Sequence, residues 1–221
     1  MPVFRSGKGQ APDWCELEFF DIVELPAGGA HTFGRMGEKE KLVVGSGRCR
    51  IVAAGAPVDA QEGAVLDLVE PGAHFEATEA AEPCTLIRMA GRWGEECGGC
   101  GLFTGAEADE PANRGDPRDY ERNTSFDNHY HDCDEYWIVF EGRGVAVSEG
   151  RHYEVGPGDC VATGMGRHHD FPDAHEPVRA VYFETTMEGQ KRPGHLWEHT
   201  HGAAAPVAER VQLEHRVACG G

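Results

Sequence analysis

The sequence predicts an all-β fold made of short antiparallel strands. Glycine is abundant, with 30 residues among 221, and the hydrophobic residues fall in short runs without a helical period. Gly, Pro and Asp separate these runs, as tight turns between strands require. The chain also carries the same landmarks twice. These three observations favour an antiparallel sandwich or barrel that is present in two copies.

Strand-like runs follow one another along the chain in two groups. The first group comprises LEFFDIVEL, KLVVG, CRIVAA, AVLDLV and TLIRMA. The second group comprises YWIVF, GVAVSEG, HYEVG, CVATG and VRAVYFETT. Two pairs of landmarks recur between the groups: Gly47-Arg48 and Gly142-Arg143 are 95 residues apart, and Glu82-Pro83 and Glu176-Pro177 are 94 apart. The predicted divisions are an N-terminal barrel (1–92), a connecting loop rich in Gly, Asp and Pro (93–123), a C-terminal barrel (124–188) and a His-rich tail (189–221).

Composition narrows the classes of function. The chain has 20 Lys and Arg against 38 Asp and Glu, a formal net charge of −18. This charge repels phosphate backbones and anionic lipids, so we expect no nucleic-acid and no membrane partner. No apolar run reaches the ~18 residues of a membrane helix, and no signal-peptide pattern opens the sequence. The expected location is the cytoplasm, where cysteines stay reduced.

The stretch FDNHYHDCDEYWIVFEGRG carries most of the chemistry. His129 and His131 are two residues apart, so on a strand both imidazoles point to one face. Glu135 follows after a short turn, and His169 lies further on in GRHHDFP. Three imidazoles and one carboxylate that converge inside a barrel are typical of a mononuclear site for a divalent transition metal such as Mn, Fe, Zn or Ni.

These motifs resemble those of the cupin superfamily. His129-x-His131-x₃-Glu135-x₆-Gly142 is similar to the first cupin motif, and Gly158-x₅-Gly164-x-Gly166-x₂-His169 is similar to the second, with Gly164 where the family usually has proline. The resemblance implies a bicupin, that is, two double-stranded β-helix (jelly-roll) barrels. It also implies that His129, His131, Glu135 and His169 hold one metal ion in the C-terminal barrel.

The N-terminal barrel is predicted to have lost this site. At an offset of 95 the ligand positions become Gly34, Met36 and Glu40, and at an offset of 94 His169 becomes Phe75. An alternative is a weak site built from three neighbouring polar residues, if the register slips. These residues are His31, His74 and Glu76.

The strand YWIVFE is apolar on both faces, which indicates burial on both. Trp137 and Val139 share the face of Glu135, whereas Tyr136, Ile138 and Phe140 lie opposite. The second cover must come from the sister barrel, from a second subunit in a homodimer, or from both.

Further polar residues near the motifs are candidates for catalysis. Glu135, Arg167 and His168 are the predicted catalytic residues, and strand alternation puts Arg167 on the side of His169, where it could hold a substrate carboxylate or hydroxyl. A surface salt bridge is the other interpretation of Arg167. The tail histidines of segment 195–201 predict a second metal cluster, a lid over the substrate or a polar strand. Cys97 and Cys100 form one CxxC, for which a redox or zinc role competes with an ordinary loop.

Three functions fit this pattern. The first is an isomerase, epimerase or lyase in which the metal polarises a carbonyl of a small polar, sugar-like or keto-acid substrate and stabilises an enediolate. The second is a dioxygenase dependent on Fe, Cu or Ni, since the same ligands support O₂ chemistry in the superfamily. The third is a non-catalytic protein that binds a small molecule.

Overall fold

The structure is a computed structural model that describes residues 3–7, 10–53, 55–68, 74–94 and 97–210. These residues form sixteen strands and one helical turn, which confirms the predicted all-β class. The elements are β1 (Val3–Arg5), β2 (Leu17–Leu25), β3 (His31–Gly34), β4 (Lys39–Ser46), β5 (Arg48–Ala53), β6 (Ala56–Gln61), β7 (Val65–Asp67), β8 (His74–Thr78), β9 (Cys84–Gly91), β10 (Cys97–Gly105), β11 (Glu135–Glu141), β12 (Gly144–Ser148), β13 (Arg151–Val155), β14 (Asp159–Thr163), β15 (His169–Ala174), β16 (Val178–Thr186) and α1 (Glu198–His201). In the described ranges no helix is long and apolar enough to cross a bilayer.

The strands form four antiparallel sheets, two in each half of the chain. The first half has sheets of order β2-β9-β4-β7 and β3-β8-β5-β6. The second half has sheets of order β1-β14-β11-β16-β10 and β13-β12-β15. Strand for strand, β4 to β9 in the first half repeat as β11 to β16 in the second. Each half is therefore a jelly-roll barrel in which two sheets enclose an apolar core.

The duplication extends to local irregularities. The pairing of β4 with β9 shifts register between Val44 and Ser46, and the pairing of β11 with β16 shifts between Val139 and Glu141, 95 residues later. The two sequence landmarks also meet in space. A Cβ on Gly47 would overlap the carbonyl oxygen of Pro83, and one on Gly142 would overlap that of Pro177. In each repeat, the two recurring dipeptides therefore meet in a tight turn contact, and this contact is the same in both repeats.

Strand β10 corrects the predicted connecting loop. It lies inside 93–123, and Cys97 to Gly105 pair with Thr186 to Val178 of β16. Its CGGCG sequence resembles a loop because glycine is a poor strand former. The second repeat begins at β10, since β10 borders β16 just as β2 borders β9.

Strand β1 corrects the predicted N-terminal division. Although it lies within 1–92, its residues Val3 to Arg5 pair with Val161 to Asp159 of β14, in the second barrel. The second barrel therefore takes its edge strand from the other end of the chain. Among the other described residues of 1–92, the five expected runs form β2, β4, β5, β7 and β9, and β3, β6 and β8 are strands that the sequence did not predict.

The five-stranded sheet of the second half and the β2-β9-β4-β7 sheet of the first half pack face to face between the barrels. Tyr136, Ile138 and Phe140 of β11 lie in the core cluster between them, together with residues of β2, β4 and β9. Trp137 and Val139 point the other way, into the interior of the second barrel. The sister barrel is thus the second cover that the two-faced sequence of β11 requires.

Candidate metal centre

The structure brings the four predicted ligands together in the second barrel. His129 and His169 pair as an isolated bridge, and Glu135 opens β11. His131 Nε2 lies 3.0 Å from His129 Nε2 and 3.2 Å from Glu135 Oε2, which is 2.7 Å from His169 Nε2. All four residues are buried, and one ligand atom from each lies within 4.8 Å of the others. The arrangement is the size of a single-ion site.

Backbone carbonyls fix the orientation of each imidazole. Nδ1 of His129 lies 2.8 Å from the carbonyl of Asp127, Nδ1 of His131 lies 3.0 Å from that of Gly194, and Nδ1 of His169 lies 3.1 Å from that of Arg167. A carbonyl only accepts, so Nδ1 carries the proton in each ring and a neutral ring turns the lone pair of Nε2 inward. Three lone pairs and a carboxylate that face one another fit a metal cation.

The charges of His129 and Glu135 agree with this interpretation. Burial and the neighbouring imidazoles of His169 and His131 hold the pKa of His129 well below its usual value, so its ring stays neutral. Burial alone would raise the pKa of Glu135, but His131 and His169 hold it well below the ordinary range. A neutral imidazole and an ionised carboxylate are the forms that bind a metal. For His131, burial lowers the pKa but the Glu135 carboxylate raises it above its usual value, so a metal ion would have to displace a proton from this ring.

A cavity of about 430 Å³ opens onto the ligand cluster. At one end His129 and Glu135 reach its surface. Aromatic side chains and glycines make up most of the remaining wall. The other lining residues are Gly98, Gly99, Phe103, Phe126, Trp137, Tyr182, Glu184, Gly194 and His195.

Glu184 is a second carboxylate in this cavity, and sequence reasoning missed it. It is the cross-strand neighbour of Glu135, and its Oε1 lies 3.8 Å from His131 Nδ1. Burial and the charge of Glu135 raise its pKa, while His131 acts in the opposite direction. The alternation in VRAVYFETT puts Tyr182 and Glu184 on one face. Only the register of β16 against β11 shows that this face is the wall of the cavity.

The glycines of the CxxC segment make room for Glu184 and Tyr182. A Cβ on Gly98 would overlap the Glu184 carboxylate, and one on Gly101 would lie 3.0 Å from the Tyr182 hydroxyl oxygen. The CxxC is therefore part of a strand that borders the cavity rather than a loop. Within the described ranges, no group of potential metal ligands includes a cysteine.

The tail contributes one wall of the cavity. The His195 ring stacks on that of His129 with centroids 3.7 Å apart, and its Nδ1 lies 3.1 Å from Asp127 Oδ2. Because Gly194 supplies the carbonyl that orients His131, the tail also supports a ligand. The segment is not a polar strand: Leu196 makes one bridge to Tyr130, and α1 follows. Asp127, His129 and His195 are close enough to share an ion, but His129 already belongs to the main cluster.

Buried Asp116 anchors this part of the tail. Its carboxylate accepts hydrogen bonds from the backbone N–H groups of Glu198 and His199, and it lies 2.9 Å from His168 Nε2 and 2.7 Å from His199 Nδ1. Burial opposes the charge, but these hydrogen bonds lower the pKa of Asp116 to about 2. The side chain is therefore a charged anchor at neutral pH.

We expect Asp116→Asn to loosen the tail. The donors that surround the Asp116 carboxylate would then face the N–H groups of an amide, which cannot accept hydrogen bonds. We expect the free energy of unfolding to fall by about 2–3 kcal/mol and the Tm by roughly 5–10 °C. Thermal unfolding measures this shift. Asp119→Asn, at an exposed position of the same loop, is the matched control and should leave the Tm unchanged. Equal Tm values for the two variants would contradict the anchoring role.

The structure places Arg167 and His168 outside the cavity, contrary to their prediction as catalytic residues. His168 is buried against Asp116, on the side of the strand opposite the ligands. The Arg167 guanidinium donates to the carbonyl of Val207 in the tail, at 3.4 Å, and neither residue lines the cavity. The backbone turn before β15 explains the difference, because strand alternation does not extend back to Arg167.

In the first barrel, a hydrogen-bonded carboxylate and apolar side chains occupy the position that the ligand cluster has in the second barrel. Glu40, the counterpart of Glu135, accepts hydrogen bonds from the backbone N–H groups of Met36 and Gly37. Gly34 pairs with His74 just as His129 pairs with His169, so the counterpart of His169 is His74 and not Phe75. His31 and His74 are exposed, and the described part of this barrel contains no group of potential metal ligands.

Known proteins resemble this chain in sequence and in fold. A family model described as a cupin domain matches residues 119–184. The uncharacterized protein y4oW of Sinorhizobium fredii (strain NBRC 101917 / NGR234) is 46% identical over 215 residues, covering 96% of this chain and 97% of that protein. The protein of unknown function PA5104 from Pseudomonas aeruginosa PAO1 has a TM-score of 0.54 at 12% identity and covers 85% of this chain and 99% of its own. YhaK from Escherichia coli has a TM-score of 0.53 at 16% identity and covers 84% and 93%. At such identities the two structures show a shared fold alone.

Proposed function

This chain belongs to the cupin superfamily, and from the cavity of its second barrel we propose that it is a mononuclear metalloenzyme acting on a small molecule. The observation that carries the proposal is the coincidence of two kinds of group in one cavity. The ligand cluster lies at one end, and Glu184 and His195, a carboxylate and an imidazole outside the cluster, line the same space. A site that only bound a metal would not need them.

In this proposal the ligand cluster, Glu184 and His195 have separate roles. His129, His131, Glu135 and His169 would hold the metal, which when bound supplies a Lewis acid for a substrate oxygen. Glu184 moves a proton at the substrate carbon next to that oxygen. His195 is held by Asp127 through Nδ1 and stacks on His129, so its Nε2 would accept or return a proton in the same cavity, beside the cluster. The tail and the aromatic walls limit access of water.

Proton transfer next to a carbonyl makes isomerase or lyase chemistry the leading candidate. The experiment is deuterium exchange into the carbon next to the carbonyl of phenylpyruvate, followed by NMR in D₂O with metal-loaded protein. Glu184→Gln should retain stoichiometric metal and lose about 10²-fold or more of the exchange rate above buffer. Glu141→Gln, at the exposed end of β11, is the control and should exchange like the wild type. Wild-type exchange no faster than buffer would contradict the proposed chemistry.

A dioxygenase is the second candidate, because Phe103, Phe126 and Trp137 give the cavity an apolar wall next to the cluster. Elemental analysis identifies the bound metal, and an oxygen electrode measures O₂ uptake. Iron together with O₂ uptake that depends on an added substrate would establish this candidate. Zinc or manganese without O₂ uptake would exclude it, and binding without turnover in either assay would indicate a non-catalytic binding protein.

A further inference from the structure

We propose that the substrate has an apolar, ring-sized body that packs on the aromatic wall, with one or two oxygen donors at the ligand cluster and no phosphate group. The inference rests on the proposed function, because it assigns the substrate class of the same cavity. It differs from the small polar, sugar-like or keto-acid substrate predicted from the sequence. That prediction relied on polar residues around the motifs and in the tail, of which Arg167 and His168 do not line the cavity whereas His195 does.

The aromatic wall is built from four separate segments. The Phe103, Phe126 and Trp137 rings lie 5.4–5.7 Å apart, centroid to centroid, and meet at steep angles. Edge-to-face packing of this kind leaves ring faces and edges for a further ring to contact. Tyr182 extends the wall towards Glu184. Trp137 also contacts the ligand His169 at 5.2 Å, so the apolar wall begins directly beside the cluster.

The wall is accessible to a ligand. Phe103, Phe126 and Tyr182 are only partly buried, although each packs against the interior of the barrel. Partly buried aromatic side chains at the base of a cavity gain contact area when an apolar group covers them. The ring faces themselves offer hydroxyl groups no hydrogen-bond partner, so a sugar would gain less from this wall than an apolar ring.

The charges of the cavity limit the charge of the substrate. Among the described residues that line it, none is Lys or Arg, whereas Glu135 and Glu184 are both acidic. With a divalent ion bound and both carboxylates ionised, the net charge of these three groups is zero. A phosphate dianion would therefore bring a net charge of −2 to these groups, with no Lys or Arg among the lining residues to offset it. A single carboxylate or enolate bound to the ion is accommodated.

The volume agrees with a molecule of this size. The cavity measures about 430 Å³ and is bounded on one side by the tail residues Gly194 and His195. Small-molecule pockets of roughly 300 Å³ and above enclose most of a ligand's surface. One aromatic ring with a short polar substituent fits within it.

The test compares mandelate with lactate, since both present a hydroxyl and a carboxylate and differ only in phenyl against methyl. Isothermal titration of metal-loaded protein should give a Kd for mandelate about 100-fold lower than that for lactate. Phe126→Ala should weaken mandelate binding about tenfold and leave lactate binding nearly unchanged. Phe103→Leu, a milder change, should reduce the same preference and keeps the test independent of the folding of Phe126→Ala. Phe19→Ala, in β2 of the first barrel, is the control.

The outcomes separate this inference from the proposed function. Stoichiometric metal with equal affinity for mandelate and lactate, or with no binding of mandelate, overturns the substrate class and leaves the metal centre in place. Equal binding of mandelate by wild type and both wall variants does the same. A protein that holds no metal, or one that binds mandelate as tightly without the metal as with it, overturns the proposed function itself.

Discussion

The double variant His129→Ala, His131→Ala is expected to purify without metal, and the wild type is expected to hold one ion per chain. The Nε2 atoms of the two rings lie 3.0 Å apart in the ligand cluster. Removal of both rings leaves one imidazole and one carboxylate as ligands. Two protein ligands do not retain a divalent transition metal through dialysis, since structural and catalytic sites use three or four. Elemental analysis of the dialysed protein measures the metal-to-chain ratio.

The matched control is His152→Ala, His175→Ala. These two exposed histidines also belong to the second barrel, but neither is part of a group of potential metal ligands among the described residues. Their loss removes the same number of imidazoles, so it tests for metal bound adventitiously to surface histidines. Full metal content in the His129, His131 variant would show that the ligand assignment is wrong.

Gly142→Ala is expected to lower the free energy of unfolding by roughly 3 kcal/mol or more. Gly142 has a φ of 75°, where a side chain is strained, and a Cβ there would also overlap the backbone carbonyl of Pro177. Backbone atoms cannot move aside without shifting the start of β16, which carries Glu184. Urea unfolding measures the loss, and Gly47→Ala, with the same contact to Pro83, should lose a similar amount.

Gly150→Ala separates strain from overlap. Gly150 has a φ of 73°, close to that of Gly142, but a Cβ there would meet no heavy atom within 4 Å. Its substitution should therefore cost only the strain of a left-handed conformation, about 1 kcal/mol. Losses of equal size at the two positions would mean that the contact with Pro177 contributes nothing.

The sequence predicted those parts of the site that depend on local spacing. His129, His131 and Glu135 lie within seven residues of one another, so a strand and a turn are enough to bring them together. The fold class followed from short strands and from landmarks repeated at one offset. Such features can be predicted from the sequence because they depend on the geometry of neighbouring residues and not on how distant strands pair.

The missed parts depend on register between distant strands. Glu184 becomes a neighbour of Glu135 only through the pairing of β16 with β11, across 49 positions of sequence. Phe103 reaches the cavity because β10 pairs with β16, and its glycine-rich sequence concealed that strand. The prediction that Arg167 lies on the side of His169 was wrong for a different reason: the alternation of side chains along a strand does not hold across the turn before β15. Local patterns cannot specify which distant strand lies alongside.

The pairing of β1 with β14 has a consequence for the order of folding. Val3 to Arg5 are synthesised before their partners, Asp159 to Val161, which follow more than 150 residues later. During synthesis the first barrel can close on itself, whereas the edge of the second stays open until this early segment returns. Closing so large a loop is slow and exposes an unpaired strand edge meanwhile. Completing this sheet edge thus joins two segments more than 150 residues apart, and a nascent protein stalled before β14 carries β1 without a partner.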